Sequence, residues 1–263
     1  MSAPFRRLGE IAFVTIITAP AVAQSPLNAN IALQPPKGVL IVEEKIRFDT
    51  GRTPAGHAER FVAASTLVFG VTQRITGILS APVVALDKPG DNESGFGDIR
   101  LAAKFRLYRN DFGPTNTSRI NLVLGTDLPS GDDPFTTDSV NPLIGGVYTL
   151  VIDRHAMHAD AIWKFGTGGG QAASDTLIYD ASYVYRLAPE EYGKGVLTSL
   201  FGVLELNGRY DTNGDHELVL APGLQWSARS AIIGVNVLIP LHRKIDERFE
   251  RNVGVGLTVR FRF

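Results

Sequence analysis

Apolar and polar residues alternate along most of this chain. The closing stretch RNVGVGLTVRFRF is the clearest case: Val253, Val255, Leu257, Val259, Phe261 and Phe263 fall on one side. Asn252, Gly254, Gly256, Thr258, Arg260 and Arg262 fall on the other. Period two is the signature of a strand lying between an apolar and a polar phase. FGDIRLAAKFRLY (Phe96 to Tyr108), SRINLVLGTDL (Ser118 to Leu128) and TLIYDASYVYRL (Thr176 to Leu187) repeat it. Continued along the chain, the pattern predicts strands near 39–50, 58–70, 74–87, 96–109, 117–129, 139–152, 155–166, 175–187, 197–211, 215–228, 230–241 and 251–263. The second, third and sixth of these are less regular, because apolar and small residues occupy both phases. Most are 11 to 15 residues long. A typical soluble strand has about 5–6 residues, whereas a bilayer-spanning strand needs about 9–11 plus its ends.

Alternation alone does not say which face is wet. A soluble barrel turns its apolar phase inward and a membrane barrel turns it outward. Here the strands are long, even in number, and their polar phase is full of charge. It carries Glu43, Lys45, Arg47, Asp98, Arg100, Lys104, Arg106, Arg119, Asp127, Asp160, Lys164, Asp180, Arg186, Glu205, Arg209, Glu217, Arg260 and Arg262. Such residues suit an aqueous or hydrogen-bonded lumen with apolar neighbours facing lipid. The expected fold is all-β, a transmembrane antiparallel up-and-down barrel of about 12 strands over residues 39–263. These charged residues, apart from Lys164 and Glu217, are the candidate pore lining.

The N-terminus supports export. Arg6 and Arg7, the apolar run Ile11 to Thr18, and Ala21-Val22-Ala23 read as a cleavable signal peptide over residues 1–23. Residues 24–38 (QSPLNANIALQPPKG) form a Pro-containing segment that either hangs in the periplasm or enters the lumen as a plug. The expected location is the outer membrane of a Gram-negative bacterium. Composition narrows the remaining classes. A net charge of −1 lacks the basic excess of a nucleic-acid binder. The absence of Cys removes disulfides, thiolate metal sites and Cys nucleophiles together. Mean hydropathy of +0.05 is too low for a bundle of membrane helices.

With both termini in the periplasm, the connections at 50–57, 88–94, 130–138, 166–174, 211–215 and 242–250 face outward. Those at 71–74, 153–154 and 227–229 are tight inner turns, with longer exceptions at 110–117 and 188–195. Phe48, Tyr108, Trp163, Tyr185, Tyr210, Trp226, Phe261 and Phe263 cluster near strand ends, as interfacial girdles do.

GFGDIRLAAKFRLY (Gly95 to Tyr108), TDLPSGD (Thr126 to Asp132) and LAPGLQW (Leu220 to Trp226) occur in the order found in one group of barrels. On these motifs the chain resembles the outer-membrane family called the MetA-pathway of phenol degradation family, from about Gly38 to Phe263. Ser130 stands where that family has Thr. The resemblance implies uptake of small aromatic or other hydrophobic compounds, with no catalytic residues to carry over. Phe263 also resembles the C-terminal aromatic signal that marks such barrels for the assembly machinery.

The remaining motifs carry weaker chemistry. Arg106, Arg119, Arg186, Arg260 and Arg262 gather toward the periplasmic end of the lumen, as an anion-favouring constriction or as a brace paired with Glu43, Asp98, Asp127 and Asp180. His158 and Asp160 share a strand face but lack a third metal ligand nearby. DTNGDHE (Asp211 to Glu217) reads as an Asn-Gly hairpin turn before it reads as a calcium loop. GTGGGQ (Gly166 to Gln171) lacks the Lys-Ser/Thr ending of a phosphate loop. A Ser–His hydrolase would need a pairing near the outer rim, but His155 falls at the inner end and His57 and His242 in loops. No cofactor, metal or catalytic site is expected. Expected partners are outer-membrane lipid and lipopolysaccharide, the barrel-assembly machinery, and a small-molecule cargo, but not nucleic acid. The leading reading is a passive channel; the alternatives are a closed structural barrel and a lipid hydrolase.

Overall fold

The computed structural model describes residues 24–169, 174–192, 197–246 and 248–263. The expected signal peptide (1–23) and the middle of the Gly-rich connection (170–173) lie outside them. Thirteen strands follow in chain order: β1 (Leu40–Thr53), β2 (Gly56–Gly70), β3 (Ile75–Lys88), β4 (Asp91–Phe96), β5 (Ile99–Asp111), β6 (Thr117–Leu128), β7 (Asn141–Ile152), β8 (His155–Lys164), β9 (Thr176–Ala188), β10 (Thr198–Asp211), β11 (His216–Ala228), β12 (Ala231–Lys244) and β13 (Glu250–Arg262). β4 pairs with the far half of β3 from Val83↔Phe96, and β5 with its near half up to Ser80↔Arg100. The two therefore form one broken stave, and the barrel has twelve staves. All neighbours are antiparallel, and pairing of β1 with β13 and of β2 with β3 closes the ring. Closure pairs each stave on both sides, apart from the outer edge of β4, which has β3 as its strand neighbour; paired edges are what a structure immersed in lipid requires.

Alternation then assigns the faces. On β12, Ile233, Val235, Val237, Ile239 and Leu241 are exposed to the outside, while Ile232 and Leu238 are buried inside. Aromatics gather on the outer surface at both ends. Phe48, Phe61 and Tyr210 lie toward the end that carries the longest connections, here called the loop end. Tyr108, Trp226, Phe261 and Phe263 lie toward the end that holds Leu40 and Phe263, here called the terminal end.

Three features differ from the expectation. The strand expected at 96–109 is interrupted at Gly97–Asp98, and residues 91–96, expected in a loop, form β4. Two loop-end connections expected to be long are tight, since β1 runs to Thr53 before β2 starts at Gly56, and β3 to Lys88 before β4 starts at Asp91. His57 and His242, expected in loops, lie in β2 and β12.

The break in the wall is closed by the connection that follows β6. Asp98 accepts from Gly131 N, Thr136 Oγ1, and both N and Oγ1 of Thr137. Ser130 Oγ accepts from Ile99 N at 2.9 Å, and Asp132 N donates to Phe96 O at 2.8 Å. A Cβ on Gly131 would come within 2.7 Å of Phe96 O, so only glycine permits this approach. The GFGD and LPSGD motifs are thus two halves of one contact. Ser130 contributes its hydroxyl, which a threonine would also supply.

Candidate functional site

The interior face is where chemistry collects, and residues 24–38 run through it. The segment starts near the terminal end, where Gln24 Nε2 donates to Asp153 O in the β7–β8 turn. It rises to mid-height at Asn28 and Asn30, then descends until Gln34 Nε2 donates to Lys104 O and Gly38 N to Gly70 O. Its course is an inverted U inside the terminal half of the bore.

Two opposed walls hold it. On the β8–β10 side, carboxylates receive its N–H groups. Glu205 accepts from Leu27 N at 2.9 Å, Asn28 N at 2.9 Å, Ala29 N at 3.4 Å and Asn28 Nδ2 at 2.7 Å. Asp160 accepts from Asn30 N at 2.8 Å and from Asn30 Nδ2 at 3.1 Å. On the β1, β5 and β13 side, cations donate to its carbonyls. Lys45 reaches Asn28 O at 3.2 Å, Lys104 reaches Ile31 O at 3.0 Å, and Arg260 reaches Pro26 O at 2.7 Å. An extended peptide carries donors and acceptors along its edges, and this bore matches each edge with the opposite charge. Charge-assisted bonds of this kind are about twice as strong as neutral ones.

Apolar contacts fix its height. Leu27 is 1% exposed and packs with Val151, Ala156, Val184, Phe201 and Val203. Gly234 leaves the floor of that seat open, because a Cβ there would sit 2.2 Å from Leu27 Cδ2. Ala32 packs with Val123, Leu143, Val147 and Ile162. Burying a leucine side chain is worth about 1.5–3 kcal/mol. Between these two seats, Thr149 Oγ1 accepts from Ala32 N, and Asn121 Nδ2 donates to Ala32 O.

The structure brings together Glu43, Lys45, Lys104, Asp160, Glu205 and Arg260 around the segment, with Arg260 ion-paired to Glu43 and Lys45 3.3 Å from it. Asp180 lies beside this group, opposite Asp160 in register, and accepts from Asn207 Nδ2. The other candidates lie elsewhere. Arg47 meets Asp49 near the loop end, where Arg60 and Arg251 also converge on that buried carboxylate. Glu217 belongs to the same group, through Arg251 at 2.9 Å. Arg100 and Lys164 share Asp127. Arg209 pairs with Asp211. Arg119 pairs with Asp111 and Arg186 stacks on Tyr192, both at the terminal end, where Arg106 and Arg262 also lie. The five arginines do not form one cluster. Asp98 sits in the wall break and binds the 129–140 connection instead of bracing them.

The sequence reading missed Leu27, Asn28, Asn30 and the apolar seats. His158 bonds Thr149 Oγ1 and Gln24 O, and His155 bonds Tyr183 Oη. Among the described residues no group of three or more His, Asp or Glu side chains converges on a metal position. Asp211 to Asp215 is a tight turn with Gly214 at φ +101°. Outside the membrane span, burial alone would raise the Asp215 carboxyl. The Asp246 amide and Arg248 outweigh burial and hold it below the usual carboxylate range. For Arg248, burial would lower the guanidinium, but the bonds to Asp211 and Asp215 raise it.

The comparisons fit this architecture. Residues 49–261 match the family described as "Putative MetA-pathway of phenol degradation". The chain belongs to that family. Among solved structures it is similar to the COG4313 outer membrane channel from Pseudomonas putida F1, with a TM-score of 0.62 and 15% identity, covering 90% of this chain and 99% of that one. Weaker similarity is found to the β domain of the Bordetella autotransporter BrkA (TM-score 0.48, 11% identity, 86% of this chain and 100% of that one). The KdgM porin gives a TM-score of 0.47 at 13% identity, over 85% of this chain and 99% of that one. No curated protein matches the sequence. The likeness establishes the fold of an outer-membrane barrel of the Gram-negative type.

Proposed function

We propose that this member of the family is a passive outer-membrane channel for small molecules, held shut at rest by its own residues 24–33. One observation carries the reading. The bore is occupied by a peptide held through hydrogen bonds to charged side chains, not by a fused side-chain core. Released, the segment would leave a lumen with carboxylates on β8–β10 facing cations on β1, β5 and β13. Twelve staves fall between barrels filled by side chains at about eight strands and open porins at about 16–18, which suits a narrow path. The family description favours aromatic or other hydrophobic cargo. In this reading the terminal end faces the periplasm, outer-membrane lipid and lipopolysaccharide surround the barrel, and Phe263 marks the chain for the assembly machinery.

The competing reading is a closed structural barrel, and the number of bonds on the segment favours it. Uptake of small solutes into proteoliposomes separates the two. The full chain and a variant lacking residues 24–33 are compared with empty liposomes. The channel reading expects uptake with the variant well above the full chain, and both readings predict that each protein inserts. Flux at the empty-liposome level from both proteins, for every solute tried, would establish the closed barrel.

A further inference from the structure

The loop-end half of the bore is not filled by the N-terminal segment. A cavity of about 290 Å³ opens there beneath the connections. Lys164, Arg209 and Arg248 line it together with Asp211, Thr137 and Phe135. Lys164 lies four residues beyond Asp160 on β8, and Arg209 four beyond Glu205 on β10, so these cavity residues stand about 13 Å farther along their strands than the carboxylates that hold the segment.

Its charge is unbalanced. Asp211 accepts from Arg209 at 3.0 Å and from Arg248 at 2.7 Å, and also takes the Thr176 hydroxyl. Asp127, at the edge, is engaged by Arg100 through both oxygens, at 2.7 and 3.0 Å, and Lys164 reaches it only at 3.5 Å. Arg248 is in turn shared with Asp215, so Arg100, Lys164, Arg209 and Arg248 meet three carboxylates and leave one cation in excess. Arg209 remains 47% exposed at its side chain after its contact with Asp211. A concave, partly desolvated site with one cation in excess attracts an anion, and its guanidinium groups offer it fork-shaped donors. Phe135 supplies a flat apolar wall. The volume sits at the small end of ligand sites, about 300–1,000 Å³, which limits the guest to a single ring or its equivalent.

We infer that this cavity binds a small organic carboxylate with a flat apolar body, its carboxylate held between Lys164 and Arg209 and its body against Phe135. The inference rests on the channel reading for its purpose, a first stop for cargo above the segment, but not for its test. Equilibrium dialysis of radiolabelled benzoate against the full-length protein in detergent at neutral pH measures it directly. Benzoate is expected to bind with a dissociation constant below about 1 mM, and unlabelled benzamide, its neutral counterpart, to compete at least tenfold more weakly. Arg209→Gln and Lys164→Gln are each expected to weaken benzoate about tenfold, as befits loss of one charge-assisted bond. Heat-modifiable gel migration shows that each variant has kept its barrel, and either folded variant suffices. Absence of benzoate binding, benzamide competing as well as benzoate, or unchanged affinity in a folded variant would each overturn the inference. Flux without benzoate binding would remove this site and leave the channel. Binding without flux would do the reverse.

Discussion

Glu205 concentrates the residue-scale argument. It is 1% exposed, and its two oxygens take three successive backbone amides and the Asn28 side chain. A buried carboxylate tolerates its desolvation only when it is this fully bonded. Glu205→Gln keeps the shape but places an amide donor against those N–H groups. It is expected to weaken docking of the segment by about 2–3 kcal/mol, roughly a 30- to 150-fold shift toward the released state. Single-channel recordings should then show openings of Glu205→Gln that the full chain lacks. Asp215 makes a comparable point outside the membrane. Its pKa is depressed, so the ionised form favours the folded state. That contribution is fully present above the unfolded carboxylate value of about 3.9, and is lost as pH falls through the lower folded value. Asp215 Oδ1 accepts from Asp246 N at 3.0 Å, so hydrogen exchange at that amide reads the effect. Protection is expected to hold from pH 7 to about 4 and to fall below it, whereas Asp215→Ala, which removes the acceptor, should lose it throughout.

At the scale of elements, the strands were legible and the segment was not. Strands advertise themselves by period two, because lipid and lumen impose opposite solvents on successive side chains. β7 blurred that signal for a physical reason. Val147 and Val151 are apolar on the interior face because they pack against the segment, at the Ala32 and Leu27 seats respectively. Asp98 misled in the other direction, since it continues the alternation into Arg100 although the stave breaks at Gly97–Asp98. Residues 24–38 carry no period at all, and their partners lie far away in sequence, with Glu205 separated from Asn28 by 177 positions. Nothing local could have chosen lumen over periplasm. The apolar peg gives a test suited to a chain without cysteine. Ala29→Cys, buried at mid-bore, should resist a polar thiol reagent in an otherwise unaltered chain. Adding Leu27→Ala, which removes about 2–3 kcal/mol of packing, should expose it to labelling. Equal labelling in the two backgrounds would mean that Leu27 does not anchor the segment.

For the whole molecule, the charges that alternation placed on the interior face divide into three levels. Ion pairs close over Asp49, Asp127 and Asp211 near the loop end, the opposed walls grip the segment at mid-height, and Arg106, Arg119, Arg186 and Arg262 lie near the terminal end. The sequence indicated that these charges share a lumen but not which would meet, because barrel register decides that. In the proposed channel, segment occupancy is the main variable, since the same charges that would line a path now hold a peptide across it. The most direct test is current through planar bilayers from the full chain and from a variant lacking residues 24–33. A near-silent full chain and a variant with steady, narrow-pore conductance are the predicted results. Equal conductance from both, or none from the variant, would contradict the account.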